Sequence, residues 1–176
     1  MTIDCFVDSS FDDHRKICGL GLYIRDGIKQ KAISNWIPAE NNNTGEMMAI
    51  YLSCILMNGK QGTIHTDSQV ALSYIRGEIR DKPRTREQYI RHKQLELMAY
   101  KIRKALPEGV EIVKTKAHTH HFQTDAMGNE LADVLAKSGR TRYYEQQQQR
   151  TGQQQSNKQS NKRTGQQQAQ SQSKDR

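Results

Sequence analysis

Apolar and polar positions along the first 140 residues sort into nine short elements. Residues 3–8 (IDCFVD) read as a strand, halted by Ser9-Ser10. Residues 17–25 (ICGLGLYIR) make a second strand, whose Gly19 and Gly21 alternate and permit close approach on one face. Asp26-Gly27 is a hairpin signal, and a third strand runs to about Ile37 before Pro38 and an asparagine-rich stretch. Met47, Met48, Ile50, Tyr51 and Leu52 then recur with helical spacing, predicting a helix capped by Thr44 and ended by Asn58-Gly59. A strand over 62–66 follows, then a helix opened by Asp67-Ser68 and running to Ile75. Residues 84–106 suit one long helix, and Pro107 and Gly109 stop it. A strand over 110–117, a histidine-rich loop and a helix over 128–138 complete the series. Three meandering strands followed by crossover units imply an α/β domain, a mixed five-stranded sheet flanked by helices.

The pattern stops near residue 140. Residues 141–176 contain 13 Gln, and after Tyr144 their one apolar residue is Ala169. RTGQQQ occurs at 150–155 and 163–168, and QSNK at 155–158 and 159–162, so the segment is low complexity and not a solenoid. Such a segment cannot bury enough surface to offset its ordering entropy, and we expect a disordered, basic tail after a domain of residues 1–140. Seven of the 27 Lys+Arg and two of the 19 Asp+Glu lie in it, so the domain keeps 20 against 17, a net +3 of the chain's +8. No apolar run approaches the ~18 residues of a membrane span. Nor does the N-terminus carry a signal-peptide pattern. Three cysteines (5, 18 and 54) without a Cys-x-x-Cys pair fit reduced, buried thiols. A soluble, intracellular protein is expected.

Four acids occupy informative places, because burying a lone carboxylate is costly. Asp8 ends the first predicted strand, Asp67 ends the 62–66 strand, Glu46 lies in the first turn of its helix and Asp133 faces one side of the last helix. Each alone reads as a helix cap, a dipole partner or a solvated residue. Their convergence carries the functional reading. If strands 1 and 4 are neighbours, Asp8 and Asp67 emerge side by side, and the two helices bring Glu46 and Asp133 to the same edge. Crowded carboxylates repel and raise one another's pKa unless cations lie between them. Oxygen-only ligands select Mg²⁺ or Mn²⁺, and two such ions about 3.5–4 Å apart suit in-line phosphoryl displacement.

On these residues the chain resembles the type 1 ribonuclease H family over about residues 1–140. The matching pieces, in the family's order, are VDSS with Asp8, the Gly-x-Gly second strand, NNNTGEMMA with Glu46, TDSQVAL with Asp67, KAHTH with His118 and GNELADVLA with Asp133. The resemblance implies a ribonuclease H-like fold and endonucleolytic hydrolysis of the RNA strand of an RNA·DNA hybrid, leaving 5′-phosphate and 3′-hydroxyl ends. By the same resemblance Asp8 would bridge two Mg²⁺ ions, with Mn²⁺ as the alternative. Asp133 would help hold the ion that activates water, and Glu46 and Asp67 would complete the other site. His118 would aid proton transfer or product departure, and Asn42, Asn43 and Gln69 would contact the hybrid's minor groove, where the 2′-hydroxyl marks the RNA strand. The chain departs from the family in carrying Ser9 after Asp8, where many members have Gly. It also has a longer interval from His118 to Asp133, which makes His120 the second candidate. No separate extra helix is evident between 75 and 84.

Residues 76–104 hold ten Lys/Arg and four acids. A charge run is usually a solvated helix face. Beside a carboxylate site, Arg80, Lys82, Arg84 and Arg86 read instead as phosphate contacts, a basic handle on the duplex. His118, His120, His121 and Asp125 lack the spacing of a zinc site and read as a solvated loop. Trp36 and Tyr23 read as core or sheet-face aromatics, and Met47, Met48, Leu52 and Leu56 as helix-to-sheet packing. Two other readings compete: a nuclease of the same fold on another substrate (exonuclease, transposase or junction resolvase), and a catalytically silent nucleic-acid binder. Ser10 occupies the position where a D-x-E exonuclease start needs its second acid, and loss of a ligand carboxylate would mark the silent binder. No apolar stripe beyond the core suggests an oligomer, and a monomer is the default.

Overall fold

The computed structural model describes residues 2–79, 82–115 and 124–172. Its elements are β1 (Ile3–Asp12), β2 (Ile17–Asp26), β3 (Lys29–Pro38), α1 (Asn42–Leu56), β4 (Gly62–Thr66), α2 (Gln69–Arg76), α3 (Arg86–Ala105), β5 (Val110–Lys114) and α4 (Thr124–Gln172). The five strands form one sheet in the order β3-β2-β1-β4-β5. β1, β2 and β3 pair antiparallel, while β4 pairs parallel with β1 and with β5. This is the mixed α/β sheet expected from the chain's pattern, with the parallel strands joined by helical crossovers.

Side chains alternate across the sheet, so each strand serves two layers. Ile3, Cys5 and Val7 of β1 join Leu20 and Leu22 of β2, Ile64 of β4, Met47 and Ile50 of α1 and Ile102 of α3 in the larger core. Phe6 and Tyr23 point the other way and pack with Ala132, Leu131 and Leu135 of α4. All three cysteines are free and buried, and burial pushes each thiol up to about 11.

Several boundaries differ from the sequence expectation. β1 does not stop at Asp8: Ser9 and Ser10 continue the ladder opposite Leu20 and Gly19, and the strand reaches Asp12. A serine pair does not break a strand whose backbone is paired along its whole length. β4 ends at Thr66, so Asp8 lies just beyond the β1–β4 pairing, where the two strands part. α1 is capped by Asn41, whose Oδ1 accepts from the Thr44 N–H at 3.1 Å, and not by Thr44. Asparagine caps at least as well as threonine, and the shift places Glu46 in the second turn. α2 is capped by Ser68, which accepts from Ala71 N–H at 3.2 Å and leaves the Asp67 carboxylate free of that duty. β5 ends at Lys114; positions 116 and 117 of the expected strand lie outside the described residues.

α4 runs past the expected 138 because Gly139 is not a stop. Its missing side chain leaves room for the Asn35 backbone carbonyl, which a Cβ there would overlap. The same device operates at Gly19 and Gly21, where a Cβ would overlap the carbonyls of Ala136 and Ala132. The α4 backbone therefore rests directly on β2, tied by Ser34 Oγ donating to the Leu135 carbonyl at 2.7 Å and Arg140 to the Phe11 carbonyl at 3.2 Å. The chain divides into two compact units, Met1–Thr141 and Arg142–Arg176. In the second the backbone is helical to Gln172. Glutamine, lysine and arginine are good helix formers. With so few apolar residues, this helix rests on local propensity more than on packing.

Since a side chain at Gly21 meets backbone and not a flexible neighbour, Gly21→Ala must push α4 off the sheet. We expect it to destabilise the domain by about 2–3 kcal/mol, the upper range for an overpacked interior, read as a lowered denaturant midpoint. An unchanged midpoint would contradict the close approach.

Candidate active site

Asp8, Glu46 and Asp67 meet at the point where β1 and β4 separate. One oxygen from each lies within 4.8 Å of the others. Asp8 arrives from the middle of β1, Asp67 from the turn after β4, and Glu46 from the second turn of α1. Alternation along β1 sends Asp8 to the α4 side of the sheet and its neighbour Ser9 to the α1 side. There Ser9 Oγ donates to Glu46 Oε1 at 2.6 Å, while the Ser9 N–H donates to Asp8 Oδ1 at 2.7 Å.

The electrostatics follow from burial and like charge, which at Asp8 outweigh the nearby charge of Lys137. Asp8 is pushed up to about 7, chiefly by desolvation and then by the charge of Asp67, with a smaller contribution from Asp133. Glu46 is pushed up to about 8, again by desolvation first, against the Ser9 hydrogen bond that favours its ionised form, and then by Asp8 and Asp67. Its Oε2 is buried with no hydrogen-bond partner among the described residues. Asp4, two turns of the pleat away on the same strand, shows the opposite case. Burial raises its pKa too, but hydrogen bonds from Arg25 at 2.7 Å and His65 at 3.1 Å outweigh that and hold it below the usual carboxylate range.

A buried oxygen without a partner among the described residues, inside an all-oxygen donor set, fits a hard divalent cation. Asp8, Glu46 and Asp67 would hold it.

Asp133 is close enough to raise Asp8, yet it stands outside the tight cluster. Its Oδ2 accepts from Lys137 Nζ at 2.7 Å, an (i, i+4) ion pair on α4. Lys137 is not marked in the sequence reading of the site, and Ser9 is marked there only as a departure after Asp8, not as a partner of Glu46. The four-residue offset from Asp133 is a readable signal for the lysine. The serine contact depends on helix placement and is not readable.

The remaining candidates divide by location. Asn42 is exposed, with its Nδ2 3.4 Å from Glu46 Oε1. Asn43 lines a groove of about 730 Å³ together with Tyr74, Lys82, Arg84, Arg91 and His92. This groove runs from the first turn of α1 to the start of α3, and Asn43 in its wall follows Asn42, which contacts Glu46. Gln69 and Arg86 are exposed as the first residues of α2 and α3. Arg80, His118 and His120 lie outside the described residues, as does His121 of the alternative histidine cluster.

The RNase H family model matches residues 2–141. In three dimensions the chain is similar to the crystal structure of RNase H1 from the halophilic archaeon Halobacterium salinarum NRC-1, with a TM-score of 0.58 and 14% identity. That match covers 79% of this chain and 97% of the archaeal one. No curated protein matches the chain in sequence.

The raised carboxylates set a pH dependence for the metal-free protein. Asp8 and Glu46 keep protons when folded that they release when unfolded, at values near 3.8 and 4.5. Between those values and about 7 to 8 the folded state binds more protons, so stability falls as pH rises through that window. In EDTA the melting temperature should drop from about pH 5.5 to about pH 8.5, and Asp8→Asn should remove much of the drop, on the order of 2 kcal/mol. Parallel curves for the two proteins would contradict the buried cluster.

Proposed function

The chain belongs to the RNase H family, hydrolases that cleave the RNA of RNA·DNA hybrids, and we propose that it does so endonucleolytically at the Asp8–Glu46–Asp67 cluster, leaving 5′-phosphate and 3′-hydroxyl ends. The observation that carries this reading is the cluster of Asp8, Glu46 and Asp67, one oxygen of each within 4.8 Å of the others, in which Glu46 Oε2 is buried without a partner among the described residues.

When bound, two divalent cations, Mg²⁺ with Mn²⁺ as the alternative, would activate the attacking water and stabilise the leaving oxygen. Asp8, raised by the charges of both Asp67 and Asp133, is the residue proposed to bridge the two sites. Glu46 and Asp67 complete one, and Asp133 serves the other after releasing Lys137. His118, in the segment before α4, is assigned to proton transfer or product departure, with His120 as the alternative. Asn42, Asn43 and Gln69 are proposed to meet the hybrid's minor groove, where the 2′-hydroxyl distinguishes RNA from DNA. Lys82 and Arg84 in the groove, with Arg80 and Arg86, are proposed to neutralise backbone phosphates. The protein is proposed to act as a monomer in a reducing, intracellular setting, which its three buried free thiols support. No helix among the described residues is long and apolar enough to cross a membrane.

The test uses one labelled strand in RNA·DNA, RNA·RNA and DNA·DNA duplexes, with Mg²⁺ or with EDTA. Internal cuts in the RNA of the hybrid alone are expected, abolished by EDTA and reduced by Asp67→Asn by a factor of about 10² or more. Cleavage of DNA·DNA would move the chain to another nuclease reaction, and binding without cleavage would make it a silent binder.

Salt provides an independent check on the groove. Hybrid affinity should fall steeply with salt, and Lys82→Glu with Arg84→Glu should flatten the log–log slope by about 2, one phosphate contact for each residue. An unchanged slope would remove the groove from the duplex interface.

A further inference from the structure

Glu46 is 4% exposed, and what holds it in place is neither another acid nor a lysine. It is held by the Ser9 hydroxyl at 2.6 Å. The same Ser9 oxygen lies 3.1 Å from Asn42 Oδ1 and 3.5 Å from the Asn42 carbonyl, and Asn42 Nδ2 lies 3.4 Å from Glu46 Oε1. Three side chains thus share a compact network that joins the exposed first residue of α1 to the buried carboxylate.

A hydroxyl has one proton to donate. Its shortest contact is to Glu46 Oε1 at 2.6 Å, against 3.1 Å and 3.5 Å to the two Asn42 oxygens, and that bond strengthens further once a cation keeps Glu46 ionised. Asn42 Oδ1 can draw on the same proton only at the expense of Glu46. Withdrawing the amide ends the competition and also releases the longer Nδ2 contact to Glu46 Oε1, which leaves Ser9 as the donor that Oε1 keeps among the described residues. The state of Asn42 therefore decides how firmly Ser9 holds Glu46. Meanwhile the Ser9 main-chain N–H is committed to Asp8, so a single residue orients two of the three clustered carboxylates. Space for the Ser9 side chain comes from Gly45. A Cβ there would stand 3.0 Å from Ser9 Cβ and would overlap Cys18 Sγ.

We infer that Ser9 is a positioning residue that couples hybrid binding at Asn42 to divalent-cation binding at Glu46. A hybrid that engages the Asn42 amide withdraws it from competition for the Ser9 proton. Glu46 Oε1 is then pinned by Ser9, which fixes the orientation of the carboxyl within the cluster it forms with Asp8 and Asp67. Cation binding that stabilises this orientation favours the same Asn42 arrangement. Each ligand strengthens the other, by the same factor in both directions. The inference rests on the proposed function, since it takes Asn42 as a hybrid contact and the cluster as a cation site.

The experiment measures binding and not turnover. In an Asp133→Asn background, which slows cleavage in every arm, hybrid affinity is read by anisotropy with Mg²⁺ or with EDTA at equal ionic strength. Mg²⁺ affinity is read by calorimetry with and without hybrid. Chains carrying Ser9 should show reciprocal coupling of about tenfold. Ser9→Ala should reduce it to about twofold or less, and so should Asn42→Ala, a change at an exposed position that leaves the fold intact and stands in if Ser9→Ala does not fold. The double variant should lose no more coupling than either single one, as expected of residues in one network. A merely structural Ser9 would lower both affinities and leave the coupling factor unchanged, which would overturn the inference. Binding of hybrid and Mg²⁺ without coupling in the Ser9 chain would overturn it as well, leaving the proposed function intact. Failure to bind either ligand would instead overturn the proposed function.

Discussion

Three carboxylates held within 4.8 Å, two of them with pKa values pushed up to about 7 and 8, are the constraint around which this domain is arranged. Such a cluster is unfavourable in a folded protein without cations, because desolvation and mutual repulsion act in the same direction. The chain could relieve it as it does at Asp4, with an arginine and a histidine on neighbouring strands. At Asp8 and Glu46 it instead supplies uncharged donors, the Ser9 N–H and O–H. These orient the oxygens without neutralising them. The remaining demand for positive charge is left to be met from outside the chain.

The sheet topology makes this possible. β1 is paired with β2 along its full length but with β4 only as far as Phe6 and His65. Asp8 therefore sits on a strand paired along its length on one side, yet beside the point where its other neighbour parts from it. Alternation along β1 then gives its two consecutive residues different duties, Asp8 toward α4 and Ser9 toward α1. Glycines at 19 and 21 let the α4 backbone lie on β2, which brings Asp133 within electrostatic reach of Asp8. On the other side the basic groove adjoins the cluster through Asn42 and Asn43.

Much of this could be read from residue order, and the misreadings share a cause. The strand at Gly62–Thr66 and the hairpin at Asp26-Gly27 were legible because short apolar runs bounded by turn residues carry their own signal. The cap of α1 was misread as Thr44, since three asparagines and a threonine in succession offer equivalent local chemistry and packing selects Asn41. Ser9-Ser10 reads as a break in sequence, and the last helix reads as ending at 138, just before Gly139. Both are places where a neighbouring backbone, β2 in one case and β3 in the other, decides what the residue does. Lys137 is a different case. Its offset from Asp133 was available in the sequence, but only the ion pair gives it meaning.

By itself, the sequence determined the mixed α/β architecture, the four acids worth following and the basic stretch that accompanies them. Those features are encoded locally, in periodicity, turn chemistry and residue type. The tertiary structure decided that Asp8, Glu46 and Asp67 share one space while Asp133 is held by Lys137, and that Ser9 bonds to both Asp8 and Glu46. These depend on where β1 parts from β4 and how closely α1 and α4 approach the sheet. Contacts between residues some forty positions apart are set by packing distances of tenths of an ångström, which no local pattern records.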